Sequence, residues 1–295
     1  MDIKNVTVIG SGVLGSQIAF QIAYSGFKVT VFDINDEALV KAQRSMVTLT
    51  KSYERDMEVT DLELKEALSN LIYTTNLETA SKEADLIIEA IPEIKELKIN
   101  LYKQLATIAP ESTIFATNTS TFLPSDFAAE TGRPDKFLAL HFANQIWLNN
   151  TAEIMGTAET DPDVFETIVA FSKNIGMIPL PLYKEQRGYI LNSLLVPLLK
   201  SAEDLLVNEV ANPETIDKTW MIATKSPRGP FGILDIVGLN TAYNIALSKD
   251  TDDSKKIAQF LKENYLDKGH LGIQSGQGFY TYPNPSYLEK DFLTE

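Results

Sequence analysis

The stretch that decides the fold reads Val6-Thr7-Val8-Ile9-Gly10-Ser11-Gly12-Val13-Leu14-Gly15. Residues 4–10 form a strand pattern in which Val6, Val8 and Ile9 are apolar and glycine closes the run. Gly10, Gly12 and Gly15 follow with the G-x-G-x-x-G spacing. Gly10 permits a tight strand-to-helix turn, Gly12 lets backbone approach a pyrophosphate without a Cβ between them, and Gly15 lets helix and strand pack closely. Residues 16–25 carry a helical stripe of Ile18, Ala19, Ile22 and Ala23, with Gly26 placed to cap it. Residues 28–32 are a second strand, and Asp33 stands at its end. Three glycines alone make no more than a turn. Inside a βαβ unit they read as a dinucleotide-binding turn, with Gly10, Gly12, Val13, Leu14 and Gly15 facing the cofactor. Asp33 is placed to accept hydrogen bonds from an adenosine ribose and to repel a 2′-phosphate, which selects NAD over NADP. Its bland duty, capping the next helix, is one that Asp36 can perform instead.

Working outward, residues 36–53 and 61–69 are polar helical patterns separating Asp33 from the next strand candidate at Ile72. One crossover helix does not need that length, so a helical hairpin projecting from the sheet is expected. Alternation then resumes. Strands are expected over 86–90, 113–117, 137–141, 151–155 and 177–182, and helices over 97–108 and 163–174. This predicts an α/β, Rossmann-type, mostly parallel sheet covered on both faces. After a polar break at residues 183–188 the periodicity turns helical, through Ile190, Leu194, Leu198, Leu199 and Leu205. The chain therefore divides into an NAD-binding domain over 1–184 and an all-α C-terminal domain over 185–295.

Composition narrows the function. The 295 residues suit about two domains. Lys and Arg number 26 against 40 Asp and Glu, a net charge of −14, which argues against nonspecific binding to nucleic acid or anionic membrane. There is no cysteine, so disulfides, thiolate nucleophiles, Cys-ligated zinc and Fe–S clusters are excluded, and no other metal site is read. No apolar run approaches the ~18 residues of a membrane span, and no signal-peptide core precedes the first strand, so a cytoplasmic protein is expected.

Three further segments bear on chemistry. Glu89-Ala90-Ile91-Pro92-Glu93 ends a parallel strand, on the edge where ligands bind in open α/β sheets. Glu93 and Lys98 read equally well as ligand contacts or as a helix-start carboxylate and a solvated lysine. Asn118-Thr119-Ser120, by itself, reads as a turn or cap. Of the two histidines, His270 sits in a glycine-rich loop and looks like a surface turn residue, whereas His141 ends a strand. There it is either structural or a general base, and the latter needs a carboxylate on its other ring nitrogen, which Glu153 on the neighbouring strand would supply.

Taken together these segments resemble the L-3-hydroxyacyl-CoA dehydrogenase family, of the 3-hydroxybutyryl-CoA dehydrogenase type. The resemblance runs over nearly the whole chain. It includes Asn144 after His141, and in the second domain Leu191-Asn192, residues 228–239 and residues 276–280. It implies that His141 takes the substrate hydroxyl proton while hydride passes from carbon 3 to NAD, and that Glu153 holds His141. Ser120 and Asn192 would bind the substrate oxygen or acyl carbonyl. Glu93, Lys98, Ser120 and Asn144 would contact NAD. It also implies a site between the domains and a homodimer formed by the helical domain.

Departures bear on the substrate. Where the family reads His-Phe-Phe-Asn-Pro and then Val-Pro-x-Met-Lys-Leu, this chain has Gln145 for Pro and Ile146-Trp147-Leu148-Asn149-Asn150-Thr151. Where it reads Pro-Gly-Phe-x-x-Asn-Arg, Arg187 replaces Pro and Ser193 replaces Arg. CoA phosphates need cations, which Lys41, Arg44, Lys51 and Arg55 would supply from the hairpin, with Lys51 and Arg55 as the substrate-binding candidates. Glu54, Asp56 and Glu58 sit among them, so a solvated charged face is the alternative. The small-molecule substrate is thus an acyl-CoA or a free 3-hydroxy acid of the gulonate or carnitine type. A weakly catalytic NAD-binding protein is the third alternative.

Overall fold

The structure, a computed structural model, describes residues 2–294. Two compact units divide after Ile190. The first opens with β1 (Asn5–Ile9), α1 (Val13–Tyr24) and β2 (Lys28–Phe32). Helix α1 begins at Val13 rather than Ser16, because extended Gly12 is itself the N-cap. A helical hairpin follows, α2 (Asp36–Asp56) and α3 (Asp61–Ser69), and leads to β3 (Leu71–Thr74). Asn35 caps α2 by accepting from the Ala38 N–H. Thr60 and Glu63 form a capping box that starts α3. The buried residues of α2 are Leu39, Ala42, Met46, Leu49 and Tyr53, one stripe at helical spacing, which seats the hairpin in the core shared with α1.

Next come α4 (Leu77–Ser81), β4 (Leu86–Glu89), α5 (Lys95–Ile108) and β5 (Ile114–Thr117). Then follow β6 (Phe137–Phe142), β7 (Thr151–Gly156), α6 (Pro162–Asn174) and β8 (Ile178–Leu182). The short α4 was not expected from the sequence. It is a single Asn76-capped turn, too brief to show a period.

The strands make one sheet in the order β3-β2-β1-β4-β5-β6-β7-β8. The first six are parallel, β7 runs antiparallel to β6, and β8 runs parallel to β7. Alternate side chains feed two cores. Val6, Val8, Leu86, Ile88, Ile114 and Ala116 pack toward α1, α2 and α6. Ile9, Ile87 and Phe115 pack with Leu101, Tyr102 and Leu105 of α5. Burial on both faces explains why these strands read as continuous apolar runs. β8 carries Pro179 and Pro181 without breaking the sheet, because as an edge strand it pairs on one side only.

The second unit holds the rest of α7 (Tyr189–Val207), then α8 (Pro213–Thr224), α9 (Pro230–Val237), α10 (Leu239–Leu247) and α11 (Asp252–Asn264). Phe231, Leu234, Leu239, Ile257, Leu261 and Tyr280 form its core. Two buried carboxylates lace it together. Asp217 accepts from the Phe231 and Gly232 N–H groups and the Tyr280 hydroxyl. Asp235 accepts from the Phe279 and Tyr280 N–H groups and the Tyr282 hydroxyl. Burial pushes both carboxyls up, and these hydrogen bonds oppose it. No described helix is long and apolar enough to cross a membrane.

Candidate active site

The carboxyl ends of β1, β2, β4, β5 and β6 meet along one sheet edge, and the order reverses at β1, which lies between β2 and β4. Gly10 turns there with φ +97°, and a Cβ on it would lie 2.6 Å from the Ala90 carbonyl oxygen. A Cβ on Gly15 would lie 2.0 Å from the Gly10 oxygen. Gly12 has nothing within 4 Å of that position, so its backbone faces open space. The first turn of α1 holds no acidic residue and no side-chain cap, so its N–H groups are left for an anion. On one side of this turn a cleft of about 840 Å³ is bounded by Gly12, Asp33, Ala90 and Leu101. On the other a cleft of about 270 Å³ is bounded by Val13, Leu14, Glu93, Lys98, Asn118 and Ser120. Asp33 Oδ2 accepts from the Ser11 N–H at 2.8 Å and hydroxyl at 2.6 Å, and Oδ1 accepts from the Ile34 N–H at 2.8 Å. The carboxylate is thereby fixed at the cleft wall. A bare helix N-terminus, an unobstructed glycine backbone and a fixed carboxylate beyond them fit a dinucleotide.

The antiparallel β6–β7 pair sets the next contact. His141 and Glu153 are directly opposite in its register, so their side chains leave the same face. Glu153 Oε2 lies 3.0 Å from His141 Nδ1, and the two residues are 3% and 5% exposed. A carboxylate at Nδ1 holds the ring proton there and leaves the Nε2 lone pair outward. Ser120 Oγ lies 3.1 Å from Nε2. Glu153 Oε1 accepts from the Ile190 N–H at 2.8 Å. Asn118 Oδ1 accepts from the Phe142 N–H at 3.0 Å, tying the β5 turn to β6.

Glu93 holds the turn containing Ser120. Its Oε1 accepts from the Ser120 and Thr121 N–H groups, both at 2.9 Å, and from the Thr119 and Thr121 hydroxyls. Burial disfavours its charge, but Thr119, the Lys98 ammonium and Thr121 outweigh that and hold the carboxyl below its usual range. Lys98 is 1% exposed, which ends the reading of a solvated lysine. Its Nζ lies 2.6 Å from Glu89 Oε1 and 3.1 Å from Glu93 Oε2. Glu89 also accepts from the Ile91 N–H, the Tyr102 hydroxyl and the Thr117 hydroxyl. Removing one partner of such a buried pair strands the other, at a cost of about 3–5 kcal/mol.

Thus Gly10, Gly12, Val13, Leu14, Gly15, Asp33, Glu93, Lys98, Ser120, His141 and Glu153 share one edge. Asn144 lies just past β6, where its Oδ1 accepts from Gln17 Nε2 at 2.8 Å. Lys51 and Arg55 are on α2, and Arg55 is engaged by Asp56 through two bonds of 2.7 and 2.6 Å. Asn192 belongs to the second unit. Sequence reasoning places Glu89 in a motif at the ligand-binding edge without giving it a role of its own, and misses Gln17 and Tyr189 as parts of the site. A glutamate closing the apolar strand Leu86-Ile87-Ile88-Glu89 was a usable signal, since a buried acid needs a partner. Gln17 and Tyr189 carried none.

Comparison with known proteins bears on the family. Residues 5–186 match the family model described as 3-hydroxyacyl-CoA dehydrogenase, NAD binding domain, and residues 188–282 match 3-hydroxyacyl-CoA dehydrogenase, C-terminal domain. The chain is 33% identical over 287 residues to a probable 3-hydroxybutyryl-CoA dehydrogenase of Bacillus subtilis, covering 96% of this chain and 98% of that one. It is 33% identical to the human mitochondrial hydroxyacyl-coenzyme A dehydrogenase, covering 95% and 91%. Among solved structures, a diketoreductase described as acting on dicarbonyl compounds is 55% identical with a TM-score of 0.92, covering 96% and 100%. The (S)-3-hydroxybutyryl-CoA dehydrogenase of Ralstonia eutropha is 28% identical with a TM-score of 0.80, again covering 96% and 100%. With both halves matched and full-length relatives above 30% identity, the chain belongs to the 3-hydroxyacyl-CoA dehydrogenase family and is an NAD-dependent oxidoreductase.

Proposed function

We propose that the protein interconverts short-chain (S)-3-hydroxyacyl-CoA and 3-oxoacyl-CoA. Held by the glycine turn and Asp33, a bound NAD would supply the hydride acceptor for carbon 3, and NADH the donor in the reverse direction. His141 Nε2 takes the hydroxyl proton, and Glu153 stabilises the imidazolium that forms. Ser120 and Asn192 hydrogen-bond the substrate oxygen or the acyl carbonyl as charge develops there. Gly10, Gly12, Val13, Leu14 and Gly15 cradle the pyrophosphate, and Asp33 takes the ribose. Glu93, Lys98, Ser120 and Asn144 would hold the nicotinamide end, Lys98 as the buried support of Glu93. Lys51 and Arg55 meet the CoA phosphates. The protein works in the cytoplasm as a homodimer through the helical domain of residues 185–295, whose exposed Leu194, Ile222 and Leu247 suit such a role. The observation that carries this reading is the cross-strand His141–Glu153 pair with Ser120 on its outer nitrogen.

A second reading, reduction of CoA-free 1,3-dicarbonyl compounds, is favoured by the 55% identity to a diketoreductase and by Asp56 occupying Arg55. The deciding experiment measures NADH oxidation with acetoacetyl-CoA, ethyl acetoacetate and a 3,5-dioxo ester. A kcat/KM at least tenfold higher for the thioester supports the first reading, and the reverse supports the second. No turnover of any of the three overturns both. Asp33→Ala is expected to weaken NADH binding and narrow the preference over NADPH, and an unchanged preference removes Asp33 from the ribose site.

A further inference from the structure

We infer that Tyr189 is a positioning residue of the reaction, the clamp that fixes the His141 ring plane and the Ser120 turn against each other. Its ring is parallel to the imidazole, with an interplanar angle of 15° and centroids 4.3 Å apart. It is fully buried, at 0% exposure. Its hydroxyl donates to the Thr119 carbonyl at 2.7 Å, one residue before the serine that faces His141 Nε2. The following N–H, that of Ile190, donates to the second oxygen of Glu153. Two adjacent residues therefore touch the imidazole face, the backbone behind Ser120 and the carboxylate behind Nδ1.

The backbone is bent to make this possible. Gly188 has φ +79° and Tyr189 has φ +53°, the left-handed region that a bulky residue rarely enters. A side chain held there by burial and a hydrogen bond is one whose surroundings over-determine its place. Burial, with Glu93, Glu153 and Glu89 nearby, pushes its phenol far above the usual tyrosine range, so the hydroxyl remains a donor throughout the working pH range. General acid–base transfer depends on this placement, because an ångström of misalignment can cost about 100-fold.

The inference rests on His141 as the base, so the test includes a measurement that needs no substrate. Tyr189→Phe keeps the stacked ring and loses the tether to Thr119. Tyr189→Leu loses both. With the preferred substrate, kcat is expected to fall about 3- to 10-fold in the first and about 30- to 100-fold in the second, while the KM for NADH stays within twofold. The chain has only two histidines, so ¹⁵N-histidine spectra resolve the His141 ring. They are expected to show one tautomer in the wild type and Tyr189→Phe and tautomer exchange in Tyr189→Leu. Lowered melting temperatures with kcat within twofold and unchanged ring signals would show that Tyr189 only fills the core. If Tyr189→Leu does not fold, Tyr189→Phe decides alone, and an unchanged kcat sinks the clamp. Altered ring signals in a protein that turns over no 3-oxo substrate would retain the clamp and reject the proposed reaction.

Discussion

The two strands β6 and β7 and the loop that joins them belong to one hairpin, yet they follow different rules. In the strands, the register alone places Glu153 opposite His141. In the loop, little of the family's wording survives, and the turn is closed by other means. Gln145 sits at φ +58°, and its N–H donates to Gln17 Oε1 at 2.8 Å. Proline can do neither, since its ring fixes φ near −65° and it lacks the N–H. Trp147 then leans on Tyr53, ring centroids 5.4 Å apart, and donates to Asp56 at 3.0 Å. A side-chain pair set by a ladder is compatible with a rewritten loop, provided the loop still returns the chain in register.

The largest effect is expected in the strands. His141→Ala should lower kcat by about 100- to 10,000-fold with NADH affinity within threefold of wild type, read by steady-state kinetics and NADH titration. A mutant within a few-fold of wild type would remove the strand half of the contrast, since the pair would then be structural.

The loop should answer in stability before it answers in chemistry. Gln145→Pro, which restores the family's letter, should destabilise the first unit by about 2–3 kcal/mol, through the lost hydrogen bond and the forbidden φ. Gln145→Gly keeps the N–H and suits the left-handed turn, so its thermal midpoint should match or exceed the wild type. If both variants melt alike, backbone conformation does not govern this loop.

This contrast also marks what could be read beforehand. Residues 28–32 are legible as a strand because alternation and flanking glycine are local signals. The glycine turn and the pairing of His141 with a neighbouring-strand acid are legible for the same reason, since strand ends are local features and the chain has only two histidines. Gln145 appeared only as a departure, because its meaning depends on Gln17, 128 residues away. Lys98 reads two ways from its helical position, because its burial is set by Glu89 on a strand rather than by its own helix. Tyr189 meets Thr119 across 70 residues, and no periodicity announces such a contact.

The smallest effect should come from Trp147→Phe, which keeps a ring against Tyr53 and removes the donor to Asp56. Hydrogen bonds from Arg55 and then Trp147 hold the Asp56 carboxyl below its usual range, against a slight opposing effect of burial. A carboxyl with a depressed folded pKa adds stability above its unfolded pKa of about 4 and loses it as pH falls through the folded value. Arg55 remains in the variant, so the midpoint should drop only about 1–2 °C at pH 7. That difference should shrink as the pH falls below 4, where Asp56 takes up its proton. A difference that stays constant to pH 3 would assign the effect to ring packing, and the loop would then be held to the hairpin by apolar contact rather than by charge.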